Sequence, residues 1–323
     1  MEPCKLFIQI PCYNEEAFLP TTLDDIPRHI PGISAISVVV IDDGSTDNTV
    51  ERAREKGVQH FVRLKKRRGL AVVFASGLDA CLKLGADIIV NLDADNQYRG
   101  EDIERLVRPI LEKKADMVIG NRDIEDIAHF SRLKKRLQRF GSRVVKVLSG
   151  LNIPDATTGF RAYSREAALK LNIISEFTYT LETIIQAGNR GVAVENIEVT
   201  TNRPTRPSRL FKNMWEYVFR SMATLFRVYT MYRPLKVFLR LGLILFILGV
   251  LIGIRFLYYF ILFKGAAGHI QSLILAAILI ILGFQIILLG LLADLIASNR
   301  RLLEDTLSRV KKIELDSLHT TKN

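Results

Sequence analysis

An α/β domain with a mostly parallel sheet, followed by an amphipathic interface helix and a two-helix transmembrane hairpin, is the fold class the sequence predicts. Three observations predict it. Short apolar runs alternate with helix-periodic segments through the first part of the chain, the rhythm of a sheet covered by helices on both faces. Polar, acid-rich turns follow several of those runs, where open α/β sheets bind ligands. From Val237 to Phe263 and from Ile270 to Ala297 the chain is almost continuously apolar, each stretch exceeding the ~20 residues that cross a bilayer core. The expected boundaries are 1–208 for a cytosolic domain, 209–236 for interface helices, 237–297 for the two spans and 298–323 for a tail.

Taken in order, Lys5 to Ile10 reads as a buried strand ended by Pro11, and a helix-like run through Phe18, Leu19 and Leu23 follows. Ser37 to Ile41 is a β-branched second strand leading into Asp42-Asp43-Gly44-Ser45-Thr46-Asp47, with Ser45 or Asp47 available to cap a helix starting near Thr49. His60 to Arg63 is a third strand, and Lys65-Lys66-Arg67-Arg68-Gly69 precedes a helix from Leu70 to Leu84. The run Asp87-Ile88-Ile89-Val90 is a strand, Glu101 to Lys113 a helix, and Asp116 to Arg122 another strand. The rhythm is Rossmann-like, but neither G-x-G-x-x-G after the first strand nor G-x-x-x-x-G-K-[ST] occurs. Ser131 to Gly150 has helical spacing with one apolar stripe and a dense basic face, which suits packing on the sheet or lying near an anionic surface. Pro154 to Arg161 reads as a polar loop, Arg165 to Leu171 and Thr180 to Gly188 as helices, and Val192 to Thr200 as a strand.

From Phe211 to Tyr229 the apolar residues recur at close to helical period beside Lys212, Arg220 and Arg227, the pattern of a helix at a membrane interface. Arg227, Arg233, Lys236 and Arg240 flank the first span, and Arg300, Arg301, Arg309, Lys311 and Lys312 follow the second. The positive-inside bias then predicts an integral membrane protein with the first domain and both hairpin ends in the cytoplasm. The net charge of +11 asks for an anionic partner, and two spans favour the lipid bilayer over nucleic acid. Cys4, Cys12 and Cys81 are three scattered cysteines, which fits a reducing compartment rather than a disulfide framework. The N-terminal residues lack the basic and small-residue signals of a secretory leader, so none is expected.

Chemistry enters at Asn91-Leu92-Asp93-Ala94-Asp95-Asn96-Gln97, after the fourth strand. Strand alternation predicts that Asp93 and Asp95 point the same way. Two nearby carboxylates repel unless a cation lies between them, and hard oxygen ligands suit Mg²⁺ or Mn²⁺ shared with a substrate diphosphate.

Pro11-x-Tyr13-Asn14-Glu15-Glu16, Asp42-Asp43-Gly44-Ser45-Thr46-Asp47, Asp93-Ala94-Asp95-x-Gln97, Gly120-x-Arg122 and Thr158-Gly159-Phe160-Arg161, in this order, resemble the family 2 glycosyltransferases, and within them the polyprenyl-phosphate sugar transferases. The resemblance implies a glycosyltransferase-A fold and a metal-dependent hexosyltransferase that inverts the anomeric carbon. It implies a UDP- or GDP-linked sugar donor and a polyprenyl phosphate acceptor, and leaves a homo-oligomer open. Pro11, Tyr13 and Glu15 would line the nucleoside pocket, with Ile41 and Asp43 beside the base or ribose. Asp93 and Ala94 would meet the nucleotide sugar, and Asp93, Asp95 and Gln97 would hold the metal. Arg122, Arg203 and Arg209 would face the phosphates; the family more often has lysine at the last of these, and arginine keeps the charge with another geometry. Asp155 would orient the acceptor or act as a base. A processive or single-sugar transferase acting on a hydroxyl acceptor shares the donor domain, but Trp215 is the only tryptophan and two spans cannot enclose a polymer channel. A non-catalytic nucleotide-sugar-binding scaffold is the other alternative.

Overall fold

The structure is a computed structural model that describes residues 4–122, 142, 144–173, 179–202, 219, 222–223, 226–227, 229–262 and 270–320. Arg203, Arg209, most of the basic segment 131–150 and most of the predicted interface helix lie outside the described residues. The described chain forms two compact units, one of residues 1–226 with 306–323 and one of residues 227–305.

The first unit is organised by β1 (Lys5–Cys12), whose alternating side chains serve both faces of the sheet. Leu6, Ile8 and Ile10 point into one apolar layer with Leu19, Ile103, Leu106 and Val107. Gln9 points the other way, against Gly77. Strands β2 (Ala35–Asp42), β3 (His60–Arg63), β4 (Ile88–Asn91), β5 (Met117–Arg122), β6 (Arg161–Ser164) and β7 (Val194–Val199) complete a sheet of order β3-β2-β1-β4-β6-β5-β7. All neighbours are parallel except the two pairings that β6 makes, with β4 and with β5. Helices α1 (Leu19–Asp24), α2 (Thr49–Glu55), α3 (Leu70–Lys83), α4 (Asp102–Leu111), α5 (Arg165–Lys170) and α6 (Thr180–Asn189) link and cover the strands.

Strand order reverses at β1: β2 and β3 lie on one side, and the chain then crosses to place β4 on the other. A crevice at the carboxyl ends of β1 and β4 is the ligand position of such a sheet.

Three expectations are corrected here. β1 continues through Pro11, which pairs with Ile41 of β2. It can do so because the carbonyl of Gln9, two residues earlier on the same edge, accepts from Leu92 N just past β4. The missing N–H of Pro11 therefore aims beyond the end of β4 and removes no ladder bond. The loop expected up to Arg161 gives way to β6, a four-residue strand whose arginine and tyrosine are fully buried, so neither length nor alternation marks it. Asp93 and Asp95 lie in the turn after β4 rather than on the strand, so the turn and not strand alternation brings them together.

The second unit holds most of two long helices, α7 (Pro234–Leu262) and α8 (Ile270–Thr320). Both contain stretches long and apolar enough to cross a membrane, with mean hydropathy 2.7 and 2.9. They meet at small residues. A Cβ on Gly242 would lie 2.7 Å from the Gly283 carbonyl, and one on Gly249 would lie 2.9 Å from the Ala276 carbonyl. Such close backbone approach is how helices pair where water cannot drive them together. Arg255 stacks its guanidinium 5.8 Å from the Tyr259 ring centre. Large apolar side chains such as Ile244, Leu251, Ile261, Ile281 and Leu295 remain exposed.

Candidate active site

The turn after β1 and the turn after β2 are stitched into one platform. Asn14, held at a left-handed φ of 54°, donates its N–H to Ser45 Oγ (2.9 Å) and accepts from Thr46 N at 2.8 Å. Glu15 N donates to Thr49 Oγ1 at 2.8 Å, and Glu16 accepts from Asn48 N at 3.0 Å. Asp47 accepts from Thr49 N at the start of α2, so it supplies the predicted cap from one residue before the usual capping position. Much of the Pro11-to-Glu16 and Asp42-to-Asp47 signature thus shapes backbone. It leaves Tyr13 partly exposed beside the buried Glu15 and Ile41.

Asp43 is buried, and its two oxygens accept from Arg68 N (2.6 Å) and Gly69 N (3.0 Å). Those amides open α3, so Asp43 anchors the basic Lys65-to-Arg68 segment at the sheet's carboxyl edge. Arg67 lies over the Tyr13 ring, 4.4 Å from its centre.

The acidic turn is braced from several sides. Thr22 of α1 donates to the Ala94 carbonyl (2.9 Å), and Asn202 N donates to the Gln97 carbonyl (2.9 Å). Gln97 N donates to Asp95 Oδ1 at 3.3 Å. Burial and then the charge of Asp95, with Glu15 adding to it, push the Asp93 carboxyl up to about 7; Arg122 and Arg161 pull the other way without cancelling the rise. Its charged form is therefore disfavoured where it stands. Two carboxylates are too few for a self-contained site, and among the described residues no group of three or more His, Cys, Asp or Glu side chains could hold an ion. The carboxylate oxygens of Asp93 and Asp95 are the hard donors that suit a divalent cation whose remaining ligands come from a phosphate group.

Arg122 ends β5 and is mostly buried. It donates from Nε to Asp155 Oδ2 (2.7 Å) and from Nη2 to Thr157 Oγ1 (3.0 Å). Asp155 is fully buried, and its other oxygen accepts from Thr157 N (3.1 Å) and Thr157 Oγ1 (2.8 Å). Burial alone would raise the Asp155 carboxyl, but the charge and hydrogen bond of Arg122, aided by Thr157, hold it below the ordinary carboxylate range. Its geometry is that of a locked counter-ion.

Sequence reasoning missed Thr157, Asn91 and Tyr179. Asn91 is the last residue of β4 and is fully buried, donating to the Gly159 carbonyl (2.9 Å) and to Tyr179 Oη (3.0 Å). A polar residue closing an apolar strand was a readable signal for Asn91; nothing local marks Tyr179. Arg161 of the Thr-Gly-Phe-Arg motif is fully buried and donates to the carbonyls of Thr180 (2.8 Å) and Ala156 (3.0 Å), tying the site loop to α6.

Comparison with known proteins finds relatives of this chain. The undecaprenyl-phosphate mannosyltransferase of Micrococcus luteus is 28% identical over 201 residues, covering 59% of this chain and 81% of that protein. The glycosyltransferase AglJ of Haloferax volcanii is 27% identical over 324 residues and covers 97% of this chain and 99% of its own. The crystal structure of glucosyl-3-phosphoglycerate synthase from Mycobacterium tuberculosis, in complex with Mn²⁺, uridine diphosphate and phosphoglyceric acid, superposes with a TM-score of 0.54 at 20% identity, covering 69% of this chain and 78% of that one. It shares the fold of the first unit. Residues 233–298 match the GtrB C-terminal hairpin and residues 7–171 match Glycosyl transferase family 2, so the chain belongs to the family 2 glycosyltransferases and carries a GtrB-type hairpin.

Proposed function

We propose that this glycosyltransferase moves a sugar from a nucleotide-diphosphate sugar to a polyprenyl monophosphate at the cytoplasmic face of a membrane, with inversion at the anomeric carbon. The observation that carries the reading is the meeting of the Asp93–Asp95 turn, Arg122 and the Tyr13 platform in one chain with the membrane-type hairpin. Relatives named as undecaprenyl-phosphate mannosyltransferase and polyprenol monophosphomannose synthase support the acceptor class.

Tyr13, Glu15, Ile41 and Asp43 would frame the nucleoside, with Pro11 closing the floor and Ala94 beside the sugar. Asp93, Asp95 and Gln97 would hold Mg²⁺ or Mn²⁺, which when bound supplies positive charge to the leaving diphosphate. Arg122, held in place by Asp155, faces the same developing charge, and Arg203 and Arg209 would add to it. One acceptor phosphate oxygen forms a bond to the anomeric carbon while the bond from that carbon to the diphosphate oxygen breaks, its electron pair leaving with the nucleoside diphosphate. A phosphate monoester has a second pKa of roughly 6 and is already mostly dianionic at pH 7. It needs no general base, which suits an Asp155 engaged at both oxygens. Exposed apolar side chains on α7 and α8 would face lipid, and basic residues at both hairpin ends would keep the first unit cytoplasmic.

The test is a donor screen with the purified full chain, a C55-type polyprenyl phosphate and either metal. Labelled polyprenyl-phosphate sugar should form with one donor, and Asp95→Ala should lower the rate at least about 100-fold. Donor binding without transfer from any donor would refute the reading.

A further inference from the structure

A buried polar chain runs behind the acidic turn. Gln9, Asn91 and Tyr179 are each fully buried on the α3 side of the sheet, where apolar residues would cost less to bury. Gln9 Nε2 donates to Asn91 Oδ1 at 2.9 Å, and Asn91 Nδ2 donates to both the Gly159 carbonyl and Tyr179 Oη. Tyr179 Oη in turn donates to the Gly159 carbonyl at 3.4 Å. The tyrosine ring cannot drift, because it stacks on Phe74 with centroids 3.8 Å apart and planes within 5°.

Gly159 connects this chain to the acids. A Cβ there would lie 2.8 Å from Tyr179 Oη, 3.0 Å from Asp93 Oδ2 and 3.1 Å from Asp93 Oδ1. The hydroxyl and the carboxylate therefore press on the same Cα, which only glycine leaves open. Shortening the tyrosine by its hydroxyl leaves the Gly159 carbonyl and the Asn91 amide each one partner short and gives the loop beside Asp93 room to move.

We infer that Tyr179 and Asn91 are positioning residues that act through Gly159 to hold the Asp93 carboxylate in the orientation that a donor-bound divalent cation requires. The inference rests on the reading of Asp93 as a donor-site residue. Groups that orient a metal-ligating side chain from behind are typically worth about 10- to 100-fold in metal affinity.

The experiment measures Mn²⁺ binding to the full chain in detergent by electron paramagnetic resonance, with UDP or GDP present, alongside the melting temperature. Tyr179→Phe keeps the ring stack and loses the hydroxyl. It should weaken Mn²⁺ binding about 10-fold or more while still melting cooperatively, at a temperature lowered by the lost hydrogen bonds. Gly159→Ala, which crowds Asp93 directly, should show the same loss and serves as the test if Tyr179→Phe does not fold. Mn²⁺ affinity within about twofold of the parent in the folded variant, with Asp93→Asn impaired, would overturn the positioning role alone. Unchanged Mn²⁺ binding in Asp93→Asn would overturn the donor-site reading, and the inference with it.

Discussion

Asp93 is half-buried and Asp155 fully buried, and their surroundings drive them in opposite directions. Asp93 rises to about 7 because burial and the neighbouring Asp95 disfavour its charge, whereas Asp155 falls because Arg122 and Thr157 reward its charge. The signs give separable predictions. With a folded value above the unfolded one, Asp93 costs stability at pH 8, and that cost fades as pH falls from about 7 towards the ordinary carboxylate range. Asp93→Asn should therefore raise the melting temperature of the metal-free protein by at least about 2 °C at pH 8 and lose that advantage near pH 4, by calorimetry in chelator. With a depressed value, Asp155 contributes stability that persists above the ordinary range and is lost only as pH falls through its lowered value. Asp155→Asn should destabilise at neutral pH and lower transfer about 10²-fold by releasing Arg122, with the shape of the pH–rate profile between pH 5 and 8 unchanged because Asp155 is already ionised across that range. The acids and Arg122 were legible because each sits in a short local signature at a strand end. Tyr179 was not, because its significance lies in contacts far along the chain, 88 positions from Asn91, and Asn91's polar closure of an apolar strand marked it without showing what it meets.

Among the elements, β1, β2 and β4 announced themselves through apolar runs, because burial on both faces favours apolar side chains. β6 did not, since its four residues include Arg161, whose charge is accommodated by the carbonyls of Thr180 and Ala156 and the hydroxyl of Thr183. Propensity and pattern cannot foresee an arginine made acceptable by tertiary acceptors. Likewise Pro11 reads as a strand terminator, and continues β1 only because β4 has already ended beside it. In the hairpin, apolar content alone revealed the two spans, while their mutual register lies in Gly242 and Gly249 of α7 and in Ala276, Gly283 and Gly290 of α8, spaced seven apart. Gly283→Leu should force the helices apart at the Gly242 carbonyl and cost about 1–3 kcal/mol, seen as a lowered thermal midpoint of the helical signal in detergent. A leucine at the outward-facing position 281, Ile281→Leu, should leave the midpoint in place.

At the scale of the whole molecule, a donor domain of family 2 type and a membrane-type hairpin occur in one chain of net charge +11. That combination makes sense under the proposed function, in which the acceptor is itself an anionic lipid: anchoring would confine the enzyme to the surface where that lipid lies, and the basic residues would draw its phosphate in. The chemistry then asks for cations rather than a base, in keeping with an arginine held by a locked aspartate. The most direct test offers two acceptors of the same prenyl chain length, polyprenyl monophosphate and the free polyprenol, to the full chain in bilayer nanodiscs with labelled donor and Mg²⁺ or Mn²⁺. The account predicts label on the monophosphate and none on the alcohol. Label on the alcohol, with the monophosphate left untouched, would contradict it.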